Sequence, residues 1–294
     1  MKIKKKQTLT AYLFLLPSLL GFLVFLAFPI VFSLILSFTD WDLVSGLKNI
    51  RFTGLQNFVE LFKSKDVLKA LNNNLVYTVF VVPLTILISL GVALLLNNKV
   101  YLKKPLRLAF FTPYITSIVA VSVVWLALFN PSNGPINKFL MSIGIENPPR
   151  WLADPKTALG SIIIIMIWIG IGFCMVVYMA ALQNIPRSLY EAAELDGAGG
   201  WKQFLHVTWP MLSSTTFMLL ITRIITSFEV FGVINIMTRG GPLKSTTVVV
   251  YEIYQQSFKF YHFGYASALS WVLFIIIFAV TAFQWVAQKK WVHD

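Results

Sequence analysis

Residues 157–186, TALGSIIIIMIWIGIGFCMVVYMAALQNIP, run for thirty positions without an Asp, Glu, Lys or Arg. An α-helix needs about 20 apolar residues to cross about 30 Å of hydrocarbon at 1.5 Å per residue, so this stretch spans a bilayer with its flanks to spare. Four other stretches are equally free of charge for 29 residues or more: 7–39, 70–98, 108–137 and 260–288. A further segment, 211–237, is apolar but interrupted by Arg223 and Glu229. Side chains in these runs are apolar on all sides, without the period-two alternation of a membrane β-barrel. The reading is therefore an all-α integral membrane protein. It has six transmembrane helices near 9–38, 74–96, 106–129, 158–183, 211–237 and 265–288.

Composition agrees. The 294 residues are 57% hydrophobic and 12% charged, where a soluble domain has about 45–50% apolar and about 25% charged residues. A single cysteine, Cys174, leaves no disulfide framework and no thiolate cluster. The three histidines are scattered, no His-Glu-x-x-His helix occurs, and no phosphate-binding Gly-rich loop with its Lys-Ser/Thr ending is present. Catalysis, a resident metal and ATP binding by this chain are not expected. The net charge of +12 reads as lysines at helix ends beside anionic lipid, since no basic stripe interleaves with aromatics as nucleic-acid binding requires.

Lys2, Lys4, Lys5 and Lys6 precede the first apolar run. That run is far longer than the 7–15 residues of a cleavable signal core, so it is read as a retained anchor, kinked at Pro17 and Pro29. Basic residues set orientation. With the N-terminus inside, the cytoplasmic pieces 1–8, 97–107, 184–211 and 289–294 hold 12 Lys/Arg in 53 residues, against 11 in the 91 residues of the outer loops. Lys99, Lys103, Lys104 and Arg107 crowd one short inner loop. Both termini are placed in the cytoplasm, with residues 1–8 as a cytoplasmic tail and 9–294 as one transmembrane domain.

One loop does not behave as a connector. Residues 184–211 are nearly thirty long, where connections in helical bundles run to about 2–8 residues. Pro186 suits the first turn of a short helix, helix formers follow through Leu195, and Gly197 supplies the left-handed residue that ends it. A second short helix is expected from Trp201 to Trp209, before Pro210. Ala192, Ala193 and Ala198 allow another surface to approach closely, and Glu191 and Asp196 can hold it by charge. The pattern is a docking knob.

The octet Glu191-Ala192-Ala193-x-x-Asp196-Gly197-Ala198, followed by Phe204, Val207 and Pro210, resembles the cytoplasmic signature of ABC importer permeases, specifically the carbohydrate-type, maltose-permease-like subfamily. The resemblance covers nearly the whole chain. It takes in Ala11 to Ser18, Phe52 to Phe58, Ala181 to Pro186, Arg239-Gly240-Gly241-Pro242, and Gly264 to Ala268. One departure is Ser213-Ser214, where a proline is often found. The resemblance implies the type I importer permease fold, a heterodimer with a second homologous permease, two ATPase subunits that carry ATP and Mg, and an extracytoplasmic sugar-binding protein. It also implies that Glu191, Ala192, Ala193, Asp196, Gly197 and Ala198 form the ATPase contact on a cytoplasmic coupling helix.

The least apolar span is the fifth. A charge at membrane depth costs about 2.5–3.5 kcal/mol on insertion scales, so it faces a cavity or a partner. The resemblance places sugar contacts on this helix, making Arg223, Thr226, Ser227 and Glu229 the expected lining, with Phe228, Trp168 or Tyr178 to stack on a sugar ring. The alternatives are pairing of Arg223 and Glu229 with the second permease, or an ion-coupled transporter using both as a relay. Glycerol phosphate is a related substrate class that Arg223 keeps open.

Overall fold

The computed structural model describes residues 5–42, 44, 46, 50–97 and 102–291; Lys2, Lys4, Lys99 and His293 lie outside these. Every regular element among the described residues is helical, and strand pairing reduces to two isolated bridges, Thr39 with Phe52 and Asp42 with His262. Five helices are long and apolar enough to cross a membrane: Thr10–Leu36, Lys65–Asn97, Ala158–Asn184, Ser213–Met237 and Phe263–Gln288. A sixth crossing, third in chain order, is built from two pieces, Lys103–Ile115 and Ile118–Leu128, bent by 101° at their junction.

That bend corrects the expected continuous helix at 106–129, and its cause is local. Pro113 lies in the last turns of the first piece. Thr112 and Thr116 turn their hydroxyls back to the carbonyls of Leu108 and Thr112, at 2.8 and 2.7 Å, and such bonds compete with the helical ladder. Thr116 and Ser117 then take extended backbone, with ψ of 145° and 130°. The fifth span is also interrupted. Its first helix ends at Phe228, Glu229 and Phe231 leave helical geometry, and a short helix resumes at Gly232–Met237. Thr226 and Ser227 back-bond to Arg223 and Ile224 carbonyls just before the break, at 3.1 and 2.7 Å.

Proline acts twice in the same way. A π turn at Leu23–Ala27 is followed by Pro29, and another at Phe204–Thr208 by Pro210. In each, the residue just before the proline donates its N–H five residues back: Phe28 to Leu23, Trp209 to Phe204. A proline cannot donate, and its ring presses on the carbonyl four residues earlier. The wider π turn relieves that clash while the helix continues.

Crossing parity settles the bent pair. Residues at the end of the first span and the start of the sixth meet: the Gly264 N–H donates to the Trp41 carbonyl at 3.1 Å, beside the Asp42–His262 bridge. The two ends therefore lie on one membrane face, and the number of crossings between them is even. Three other spans lie between, so the bent pair must be the fourth. Six crossings follow.

The chain forms two compact units, one of residues 1–64 with 253–274 and one of 65–252 with 275–294. In the smaller, Trp41 packs edge-on against Phe32 and tilted against Phe263, and Trp271 donates to the Ser33 hydroxyl at 3.3 Å. In the larger, Val82, Ile86, Leu90, Ala93 and Leu96 of the second span interlock with Cys174, Met175, Tyr178, Met179 and Leu182 of the fourth. Steps of three and four keep each set on one helix face. Lipid is as apolar as leucine, so this seam is held by close van der Waals contact and a few polar bonds rather than by escape from water. One such bond joins the Ser89 hydroxyl to the Ile171 carbonyl, at 3.2 Å.

Candidate coupling site and substrate path

The loop helix runs Arg187–Leu195, with Pro186 as its N-cap rather than inside its first turn. Its far end is closed by a Schellman motif. Gly197, at φ +74°, donates to the Glu194 carbonyl at 3.0 Å, and Ala198 donates to the Ala193 carbonyl at 2.9 Å. The expected second helix is longer than Trp201 to Trp209. It starts at Gly200, passes through the π turn, and ends at Met211.

Two side-chain bonds fasten the corner. The Tyr190 hydroxyl pairs with Thr208 at 2.9 Å, and Gln203 donates to the Ala198 carbonyl at 3.1 Å. The sequence reading missed Tyr190, Gln203 and Thr208. The only signal was their place beside the octet, which does not reveal a pairing eighteen residues apart. The result is a small, braced projection at the entry to the fifth span. Glu191, Ala192, Asp196 and Gly197 are exposed on it, while Ala193 and Ala198 are half-buried and carry the backbone closure. Leu195 is 90% exposed at the tip and Trp201 72%, an apolar surface without cover among the described residues.

The proposed path residues occupy three places. Arg223 is half-buried, and its guanidinium lies against Gly170 of the fourth span; a Cβ there would run into the Arg223 terminal nitrogen and lie 2.9 Å from the Thr85 methyl. Among the described residues its Nε has no hydrogen-bond partner, and neither has the buried Thr85 hydroxyl. Thr226 is exposed and Ser227 buried, with the Ser227 hydroxyl 2.8 Å from that of Thr78. Glu229 is exposed at the helix end, and no ion pair among the described residues joins it to Arg223. Phe228 is buried.

Trp168 stands elsewhere, edge-on to Trp125 at 5.5 Å, in the wall of an open apolar recess of about 390 Å³ made by the bend of the third span. Tyr178 is wholly buried in the helix seam and donates to Thr216 at 3.0 Å. The structure thus keeps Arg223 and Thr226 accessible together, leaves Trp168 beside a separate recess, and encloses Ser227, Phe228 and Tyr178.

A six-crossing helical protein with a braced, exposed helix–glycine–helix loop has the architecture that the importer-permease resemblance implies. The chain belongs to the family described as the binding-protein-dependent transport system inner membrane component, whose model matches residues 64–292. It is 34% identical to the lactose transport system permease protein LacF of Rhizobium radiobacter, over 98% of this chain and 97% of that one. It is 33% identical to the sn-glycerol-3-phosphate transport system permease protein UgpA of Agrobacterium fabrum (strain C58 / ATCC 33970), over 96% and 95%. Its fold matches the crystal structure of a bacterial ABC transporter involved in import of the acidic polysaccharide alginate, with a TM-score of 0.82 and 27% identity across 97% of this chain and 96% of that one. The protein is a multi-pass ABC transporter permease.

Proposed function

We propose that this permease carries a sugar, an oligosaccharide or a closely related polyol phosphate inward by alternating access. It does so as one half of a heterodimer with a second permease, both termini cytoplasmic, on two ATPase subunits that hold ATP and Mg. An extracytoplasmic binding protein delivers the substrate. The observation that carries this reading is the braced loop. A helix with no buried residue, closed by a Schellman motif and tied by Tyr190 to the entry of the fifth span, is built to be gripped and to move as a body. In this reading Glu191, Ala192, Ala193, Asp196, Gly197 and Ala198 meet the ATPase.

The relatives' substrates support carbohydrate as the class, and Arg223 supports an anionic group among those accepted. An arginine at membrane depth, without a carboxylate partner among the described residues, suits a carboxylate or phosphate on the cargo. Thr222 and Thr226 are exposed hydroxyls on either side of it along the helix, and Trp168 offers an exposed ring at the separate recess.

Mild-detergent purification of the tagged protein from native membranes, with every co-purifying chain identified, tests the assembly. A related permease together with an ATPase bearing a phosphate-binding loop is the expected result. A chain that purifies alone and supports uptake driven by an ion gradient overturns the reading.

A further inference from the structure

The smaller unit contains a polar pocket of about 250 Å³ lined by Asp40, Asn57, Glu60, Gln256, His262 and Tyr265, with Trp41 beneath them. It lies where the first and sixth spans reach the same membrane face, which the proposed orientation makes the extracytoplasmic one. Asn57 is only 7% exposed, and its amide N–H groups both go to backbone, reaching the Ser37 and Thr39 carbonyls at 2.9 Å each. No donor to its side-chain oxygen is found among the described residues. The Asp40 carboxylate has no partner among the described residues, and Glu60 accepts only from Gln56, at 2.9 Å. Gln256 offers its oxygen to the His262 ring at 3.3 Å.

The pocket is therefore rich in acceptors and carries two carboxylates. No Lys or Arg lines it, in a chain whose net charge is +12. Gln256, Tyr265 and His262 can also donate, but the two carboxylates give the pocket a negative charge that a neutral sugar does not answer. A metal ion is poorly served, since no three His, Cys, Asp or Glu side chains come together as a ligand set among the described residues. An ammonium or guanidinium group fits: it brings only donors, and the Tyr265 ring can flank it.

We infer that this pocket receives a lysine or arginine side chain of the extracytoplasmic binding protein and fixes that protein's seat on the permease. The inference rests on the importer reading above, because it is the binding protein that must dock on this face. Asp40 and Glu60 are exposed, and carboxylates meeting a basic group give specificity and a salt-dependent encounter. A second macromolecule on the same face would need the same chemistry, but only the binding protein is required by the transport cycle.

The test uses the complete importer reconstituted in proteoliposomes, titrated with its binding protein once co-purification has identified it and loaded with its substrate. Asp40→Asn combined with Glu60→Gln is expected to raise the half-saturating concentration of binding protein at least tenfold and to flatten its dependence on salt. Retention of the second permease and the ATPases on the tagged variant shows that it is folded. Asp40→Lys, which places the protein's own cation in the pocket, is expected to abolish the response to binding protein. An unchanged half-saturating concentration in both variants overturns the inference, as does a change confined to substrate preference. A wild-type importer indifferent to binding protein removes the importer reading itself, and the pocket's role with it.

Discussion

Gly197 is where a single atom decides a contact. Its φ of +74° is left-handed, and an added Cβ would meet nothing within 4 Å, so any effect of substitution comes from backbone strain or from the new group itself. An ordinary side chain in this conformation costs about 1–2 kcal/mol, and asparagine tolerates it better. Gly197→Asn is therefore expected to keep most uptake and Gly197→Ala to lose several-fold. Gly197→Asp, nearly isosteric with Asn but charged beside Asp196, is expected to abolish uptake while membrane levels stay normal. Normal uptake by Gly197→Asp would remove the loop from the coupling role. The residue-level reading of this corner was available in the sequence because a helix stop needs one special residue, and glycine after Asp196 is that residue. Arg223 was visible for the opposite reason, as a charge where none belongs. Its niche was not visible, because Gly170 lies fifty-three positions earlier and only packing brings the two together.

Among the elements, existence was plain and continuity was not. Charge-free runs fix where a helix must cross, yet they say little about its hydrogen-bond ladder, so the interruptions near Thr116 and Glu229 were not foreseen. Threonine and serine hydroxyls that return to carbonyls one turn back were the available signal. Another feature that escaped notice is the polar clasp at the start of the second span. Asn73 donates to the Lys244 and Thr247 carbonyls at 2.9 Å each, and Asn74 donates to the Ser227 carbonyl at 3.3 Å. Lys244 also pairs with Asp66 at 2.6 Å, an exposed bridge worth little by itself. Losing Asn73 removes the side-chain donor from the buried Thr247 carbonyl, at about 1–3 kcal/mol, while the Lys244 carbonyl keeps the Thr247 N–H at 3.3 Å. Asn73→Leu is expected to lower the melting temperature of the detergent-purified protein by several degrees. Asn72→Leu, one position away and exposed, is expected to leave it nearly unchanged. Equal melting for both variants would show that the clasp contributes nothing.

For the molecule as a whole, six crossings followed from composition, and the parity of the outer meeting point makes the bent pair one of them. Cys174 is buried, so one added cysteine can report on sidedness with little background. Leu243 and Leu195 are 79% and 90% exposed, in loops that six crossings place on opposite faces. With both termini inside, a membrane-impermeant maleimide is expected to label Leu243→Cys in intact cells and Leu195→Cys only after permeabilisation. The reverse pattern would invert the orientation. The division into two compact units was not legible, because it depends on residues more than two hundred positions apart. That division also dictates an order of assembly. Most of the larger unit is one uninterrupted stretch, 65–252, whereas the first span shares its unit with residues 253–274. During synthesis, which proceeds from the N-terminus, the earliest helix to enter the bilayer is among the last to acquire its neighbours. Until the ribosome has passed residue 274 it waits in lipid, dependent on its own hydrophobicity to stay there.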